Sequence, residues 1–374
     1  MQDGKTVILH MIETTGSGGA EQVIVDIVRH LDREKFISVV VLTGKGWLYD
    51  NISSSGVVPE IIKSEGAYDW RFIRKVMKLS KLKKVDVIHS HLDDTNFYAC
   101  LVGIFSRIPV IATYHGMIGS WNVKNVKDSI KMAIIKFHAK YVVAVSEFLK
   151  TELLKAGSFK NSQLRRIYNG VDFQILGQED GSKKLRSELN LPQEAILIGT
   201  IGNMERWKGF DYFIKAVPTI IEKSPKSYFL IIGEIKEDIL GDLDALIASL
   251  KLEGRIFFMG FRGDIPQILT QLDIFVLPSL SEGLSIATIE AMAKERPVIV
   301  TDSGGPTEIV DEGRTGFVVP PKDPEAIAQR VIQLINDPNL AQTLGKQAKI
   351  AVQNKFDLKS TISTYADLYL TCLE

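Results

Sequence analysis

Asp273-Ile-Phe-Val-Leu-Pro-Ser-Leu-Ser-Glu-Gly-Leu-Ser-Ile-Ala-Thr-Ile-Glu-Ala-Met-Ala293 contains a strand, a loop and a helix in succession. The run Ile-Phe-Val-Leu shows no polar alternation, as expected for a strand buried on both faces of a parallel sheet. A Ser/Gly loop carrying Glu282 follows, and the Ala/Ile/Met-rich stretch after it reads as a helix with Glu290 near its start. Strand followed by helix is the repeating unit of an α/β fold. In open α/β sheets ligands bind where strands end and helices begin, because helix N-termini present unpaired N–H groups there. A carboxylate suits paired sugar hydroxyls better than it suits a phosphate. Glu282 and Glu290 could therefore hold two hydroxyl-rich parts of one ligand. The competing reading is two solvated acids at a helix start, where negative charge is favoured in any case.

The same unit recurs on both sides of this stretch. In the first half, strands are predicted at Thr6–Met11, Ser38–Leu42, Val85–His89, Val110–Thr113 and Tyr141–Val145, with helices such as Glu21–Leu31 and Arg71–Leu82 between them. The second half restarts at Ile196–Ile201 and continues with Tyr228–Ile232, Ile256–Met259, Ile274–Leu277, Pro297–Thr301 and Gly316–Val319. A polar segment, Asn169–Ser182, separates the halves, and a last helix is expected at about Leu358–Leu373. Two Rossmann-like halves of similar size imply a deep cleft between them, a favoured place for a ligand.

At 374 residues the chain exceeds the usual size of one hydrophobic core, which also argues for two domains. Its two cysteines, Cys100 and Cys372, sit in apolar contexts and suit a reducing compartment. No stretch approaches the roughly 20 apolar residues of a membrane span, and Val7-Ile-Leu9 is too short for a signal peptide. A cytoplasmic protein is expected. The net charge of zero hides an asymmetry: residues 1–170 carry 24 Lys/Arg against 16 Asp/Glu, and residues 171–374 carry 21 against 29. The excess lies in Arg71–Lys84 and in Lys124, Lys127, Lys131, Lys136 and Lys140, which punctuate an apolar run. Such basic faces are either solvated or lie on an anionic membrane surface. No nucleic-acid module accompanies the charge, so no nucleic acid is expected as a partner.

Other loops at strand ends carry chemistry. Thr14-Thr-Gly-Ser-Gly-Gly-Ala-Glu21 opens the first helix, where glycines allow close backbone approach and the helix N-terminus favours an anion. Its spacing is not that of a dinucleotide fingerprint, and the second strand leads into Gly44-Lys45 rather than an acid, which weakens an NAD reading. Thr113-Tyr-His-Gly116 puts His115 at a strand's carboxyl end, where an imidazole can donate or accept a hydrogen bond. His89 and His91 alternate between packing and cleft positions. Gly202-Asn-Met-Glu-Arg-Trp-Lys-Gly209 brings Arg206 and Lys208, cations suited to a departing diphosphate, and Asp302-Ser-Gly-Gly-Pro-Thr-Glu308 adds another glycine-marked strand end. No metal-ligand spacing stands out. Asp242-Leu-Asp244 has the look of a cation pair but sits in a helical, acidic context.

Gly18-Gly-Ala-Glu21, His115-Gly116, Asn169-Gly-Val-Asp172, Lys208-Gly209, Glu282 with Glu290-Ala-Met-Ala, Gly304-Gly305 and Thr315-Gly-Phe317 occur in this order along nearly the whole chain. That ordered set resembles the family-4 retaining glycosyltransferases of GT-B fold. The resemblance implies two Rossmann-like domains facing each other across a deep cleft. Residues 1–169 would bind the acceptor and residues 170–356 the nucleotide sugar, with a helix over 357–374 packing back on the first domain. It implies no divalent metal and no cofactor. Carried onto this chain, Glu290 binds the ribose hydroxyls. Glu282 sits near the donor sugar, with the N–H groups of Gly283, Leu284 and Ser285 toward sugar or phosphate. Lys208 neutralises the diphosphate, Gly18 and Gly19 allow close approach over the phosphates, His115 contacts the donor sugar, and Phe261-Arg262 flank the base. The family's arginine after Gly202 is Asn203 here, so Arg206 is expected to supply the charge from further along the loop.

The implied reaction moves a sugar from a nucleotide diphosphate, with uridine favoured, to an acceptor hydroxyl with retention, through an oxocarbenium-like state. Catalytic roles fall to His115, Lys208 and Glu282. The acceptor is expected to be a sugar or lipid-linked saccharide of a surface polysaccharide or glycolipid, contacted around Asp93, Asp94 and Trp121, with the protein at the inner face of a membrane. The rival readings are a nucleotide-sugar epimerase or hydrolase on the same scaffold and a non-catalytic nucleotide-sugar-binding protein.

Overall fold

The computed structural model describes residues 4–64, 66, 69–116, 126–157, 159–177 and 185–374. Trp121, Lys124 and residues 178–182 of the polar segment fall outside them. The chain divides into two compact units, one of residues 1–170 with 358–374 and the other of residues 171–357.

The first unit holds a seven-stranded sheet built from β1 (Thr6–Met11), β2 (Phe36–Leu42), β3 (Glu60–Ile61), β4 (Val87–His91), β5 (Val110–Tyr114), β6 (Ala139–Ala144) and β7 (Leu164–Arg166). Their order is β3-β2-β1-β4-β5-β6-β7. The second unit holds six strands, β8 (Ile196–Ile201), β9 (Ser227–Ile232), β10 (Ile256–Phe258), β11 (Ile274–Leu277), β12 (Val298–Thr301) and β13 (Phe317–Val319), in the order β10-β9-β8-β11-β12-β13. Every pairing is parallel. The apolar runs became strands because both faces of each sheet are covered: β5 and β11, for instance, are buried along their whole length. Each expected strand is present, with ends displaced by at most two residues.

Each sheet has one point where the order reverses. β1 pairs with β2 on one side and β4 on the other, and β8 pairs likewise with β9 and β11. The carboxyl ends of the two central strands diverge there and leave room for a ligand. The helices that cover the sheets are amphipathic. In Phe210–Lys223 the buried Phe210, Phe213, Ile214, Val217 and Ile220 recur at three- and four-residue steps. Phe213 meets Phe229 of β9 edge-on at 5.8 Å, and burying each such side chain contributes about 1.5–3 kcal/mol. The helix Leu358–Thr371 completes the first unit, burying Leu358, Ile362, Tyr365, Leu368 and Tyr369. Cys100 and Cys372 are buried free thiols. Among the described residues, no helix is long and apolar enough to cross a membrane.

Candidate active site

The second unit's reversal point gathers three loops, those after β8, β11 and β12. After Ile201 the chain passes through a single 3-10 turn, Arg206–Lys208, that ends at Gly209. Gly209 has φ of +65° and lies so close to the Pro278 carbonyl that a Cβ would collide with it. Glycine is therefore required twice at this position, for the left-handed backbone and for the close approach. Leu280 N–H then donates to the Trp207 carbonyl at 2.7 Å, fastening the β11 loop to the β8 loop. On its other side the β11 loop is fastened to the β12 loop. Glu282 N–H donates to the Ser303 carbonyl at 2.9 Å, and Gly305 N–H donates to the Glu282 carbonyl at 3.0 Å.

This stitching fixes one ion pair. Lys208 Nζ donates to Glu282 Oε1 at 2.6 Å, across 74 residues of sequence. Ser279 Oγ donates to the same oxygen at 2.7 Å. Glu282 is 9% exposed, and the Lys208 side chain 21%. A buried carboxylate needs such partners, since an unpaired one costs several kcal/mol. Ser279 is a member of the site that sequence motifs did not single out. Its only signal was a hydroxyl three residues before Glu282 in the same loop.

The remaining candidates of this unit divide into near and remote. Gly283, Leu284 and Ser285 continue directly from Glu282 and are buried. Ser285 caps the helix Ile286–Ala293, its Oγ accepting from Thr288 N–H at 3.3 Å. Glu290 stands one turn into that helix and is partly buried. Arg206 is turned elsewhere: its Nη1 lies 3.0 Å from Asp242 on the helix Glu237–Ser249, both side chains more than 60% exposed. The Asn203 side-chain oxygen accepts from Glu234 N–H at 3.2 Å. Phe261 is exposed beside Arg262, whose guanidinium is forked onto Asp264 at 2.7 and 2.8 Å and paired with Glu188. Those hydrogen bonds, Asp264 first, raise its pKa still further above the ordinary arginine range.

In the first unit, Gly18 is the N-cap of the helix Gly19–His30 that follows β1, and Gly19 is its first residue. A Cβ on Gly18 would collide with the buried carboxylate of Glu21, so the glycine leaves room for that acid at the helix start. His115 follows β5. It is partly buried, yet its Nδ1 is sealed from solvent without a partner. Its Nε2 lies 2.9 Å from Nδ1 of His91, with the rings stacked 26° apart. His91 and His89 are inside β4 and unexposed, and His10 of β1 joins them. Burial pushes His10 and His115 down to about 3, and holds His89 and His91 well below the usual imidazole range, each further disfavoured by its neighbours. These rings are neutral.

Among the described residues, His10, His89 and His91 form a group with metal-ligand spacing, their nitrogens within 4.8 Å of one another. Both nitrogens of His89 are already engaged, with Tyr369 Oη at 2.7 Å and Thr113 Oγ1 at 2.8 Å. Nearby, a cavity of about 340 Å³ is lined by Met11, Glu13, Asp94, Phe97, Tyr98 and Lys131. Burial, reinforced by Glu13 and Asp94, pushes the adjacent Asp93 up to about 7. Lys131 is paired with Asp94. Lys136 donates to the Gly157 carbonyl and Lys140 to the Cys372 carbonyl, so this basic run is largely tied down within its own unit.

Two doubly wound parallel sheets, each with loops gathered at its reversal point, define the GT-B fold. Comparison with known proteins agrees. Residues 17–175 match the model described as Glycosyltransferase Family 4, and residues 181–351 match Glycosyl transferases group 1. The UDP-Gal:alpha-D-GlcNAc-diphosphoundecaprenol alpha-1,3-galactosyltransferase of Escherichia coli is 26% identical over 94% of this chain and 93% of its own. The capsular polysaccharide biosynthesis glycosyltransferase CapM of Staphylococcus aureus is 26% identical over 82% of each. HepE of Anabaena, solved with UDP and glucose, superposes with a TM-score of 0.88 at 23% identity, covering 98% of this chain and all of that one. The chain belongs to the family-4 glycosyltransferases.

Proposed function

We propose that this glycosyltransferase moves a sugar from a UDP-sugar to an acceptor hydroxyl with retention of anomeric configuration and without a divalent metal. The observation that carries the reading is the Lys208–Glu282–Ser279 cluster, held at the carboxyl ends of β8 and β11. A glycosyl donor presents a diphosphate beside a sugar, and this cluster offers a cation and a carboxylate in contact. On donor binding Lys208 turns toward the diphosphate and stabilises it as the C1–oxygen bond breaks. Glu282 then accepts from sugar hydroxyls, and Glu290 from the ribose. The neutral His115 hydrogen-bonds the donor sugar. The acceptor hydroxyl attacks the face the diphosphate leaves, and a diphosphate oxygen takes its proton.

The exposed ion pair with Asp242 makes Arg206 a lesser contributor to the diphosphate than Lys208. The acceptor enters the cavity beside Asp93 and Asp94. The names of the relatives, one acting on a diphosphoundecaprenol-linked sugar and one in capsular polysaccharide synthesis, support a lipid-linked or polysaccharide acceptor. The test is thermal stabilisation by a panel of UDP- and GDP-sugars, because a ligand at 100 times its Kd adds about 2.7 kcal/mol. UDP-sugars are expected to stabilise the protein and Glu290→Ala to abolish the effect. Stabilisation by no UDP-sugar, or a full effect in Glu290→Ala, overturns the donor assignment.

A further inference from the structure

The cavity of about 340 Å³ in the first unit joins an apolar wall to an acidic one. It lies where the sheet order reverses, beside the carboxyl ends of β1 and β2. Met11, Phe72 and Phe97 supply the apolar wall, and all three are buried. Glu13 and Asp94 supply the acidic wall, with Lys131 as the one cation among the described lining residues. Lys131 is committed twice: it is paired with Asp94, and its ammonium lies 5.9 Å from the centroid of the Phe97 ring. That pair cancels, which leaves Glu13 as the net charge of the cavity.

Glu13 is held from two sides. Thr43 Oγ1, just past β2, donates to its main-chain carbonyl at 2.7 Å. Thr95 Oγ1, in the first turn of the helix Asp93–Ser106, donates to its Oε2 at 2.7 Å. The residue is nevertheless exposed. A carboxylate has about four acceptor sites, so a fixed acid here keeps capacity for hydroxyls of a ligand.

The volume stands at the small end of the range for ligand sites, about 300–1,000 Å³, which suits one sugar ring rather than an oligosaccharide. A sugar also has the right two surfaces, C–H groups on its faces for the apolar wall and hydroxyls on its rim for Glu13. An anionic ligand does not match. A second negative charge about 4 Å from Glu13 is disfavoured roughly 5-fold in bulk water and roughly 700-fold at an effective dielectric of about 20.

We propose that this cavity is the subsite for one uncharged sugar residue of the acceptor, and that Glu13 sets the selection: its carboxylate accepts the acceptor's hydroxyls and turns away residues bearing a carboxylate or phosphate. The inference rests on the reading above that the acceptor enters this cavity, and its test separates the two claims.

The probes are the methyl glycosides of glucose, galactose, mannose and N-acetylglucosamine, each paired with the uronide that differs only by a carboxylate at C6. Binding to the full chain at pH 8 with UDP present is read from the Met11 methyl resonance in 13C-methionine NMR, identified by its loss in Met11→Leu. At least one neutral glycoside is expected to move that resonance and to bind at least about 5-fold more tightly than its uronide. Glu13→Gln keeps an oxygen for Thr95 to donate to and removes the charge. It should bring the two members of that pair within about 2-fold of each other, with Tm and stabilisation by UDP-sugars unchanged. No Met11 shift with any neutral glycoside, tighter binding of a uronide, or an undiminished preference in Glu13→Gln overturns the proposal. Sugar transfer to the bound glycoside, from the UDP-sugar that stabilises the protein most, reports the acceptor role. Selective binding without transfer would instead remove that role and leave the selectivity of the cavity standing.

Discussion

Replacing Lys208 by methionine removes the cation 2.6 Å from Glu282 Oε1 and strands a carboxylate that is 9% exposed. Ser279 still donates to that oxygen at 2.7 Å. Removing one partner of a fully buried pair costs about 3–5 kcal/mol. The Lys208 side chain is 21% exposed, so water reaches the pair, and a cost of about 2 kcal/mol is the better figure. In domains of about 150–250 residues each kcal/mol moves Tm by roughly 2–4 °C, giving a fall of about 4–8 °C. Glu282→Gln removes the charge that would be stranded. On that background Lys208→Met should cost less than about 1 kcal/mol, a coupling of about 1–2 kcal/mol. The assay is a thermal melt of all four proteins without ligand at neutral pH. Strictly additive shifts would refute the idea that this pair is the energetic unit of the loop cluster. The same variants separate structure from chemistry. Lys208→Met should lower kcat about 10²–10³-fold, the loss typical of one transition-state donor, and Glu282→Gln should not restore it.

Three further outcomes follow from the geometry. Gly209→Ala places a Cβ on a left-handed backbone and into the Pro278 carbonyl, so it should cost about 1–3 kcal/mol in urea unfolding, and an unchanged midpoint would contradict the packing. His10 has a folded pKa of about 3 against about 6.5 unfolded, so the unfolded chain binds the extra proton. Stability is full above about pH 6.5 and falls as the pH drops toward 3, and His10→Met should lessen that slope by up to about 1.4 kcal/mol per pH unit; an unaltered slope between pH 6 and 4 would count against neutral burial. The helix Trp70–Leu82 exposes Arg71, Arg74, Lys75, Lys78 and Lys81, so the protein should co-sediment with anionic vesicles at low salt and release at high salt, and equal sedimentation with neutral vesicles would remove the membrane reading.

How far sequence reaches is visible at individual positions. Ile274–Leu277 was readable as a strand because burial on both faces leaves an unbroken apolar run. Glu60–Ile61 and Leu164–Arg166 were not, because short edge strands carry charge and no such run. β4 was expected to end at His89 and continues to His91, since polar-looking imidazoles sit inside the sheet once burial keeps them neutral. Residues 302–308 were readable as a glycine-marked strand end, and the 3-10 turn Gly305–Glu308 that they form was not. Lys208 and Glu282 were each legible as strand-end residues, and their contact was not. It depends on main-chain bonds such as Leu280 N–H to Trp207, which any side chains could make. The His91–His115 contact had a weak signal in the histidine pattern, but its 2.9 Å approach depends on the pairing of β4 with β5.

Tyr369 hydrogen-bonds His89 across 280 positions of sequence, and the intervening residues 171–357 fold as a unit of their own. At about 5–20 residues per second, a ribosome needs roughly 15–55 s to travel from one partner to the other. During that interval the nascent first sheet lacks the helix that covers His10, Phe36 and His89, while the second sheet can already close. The domain whose synthesis starts first is thus the last to be finished, and its unshielded histidine-lined face is where a chaperone would be expected to act.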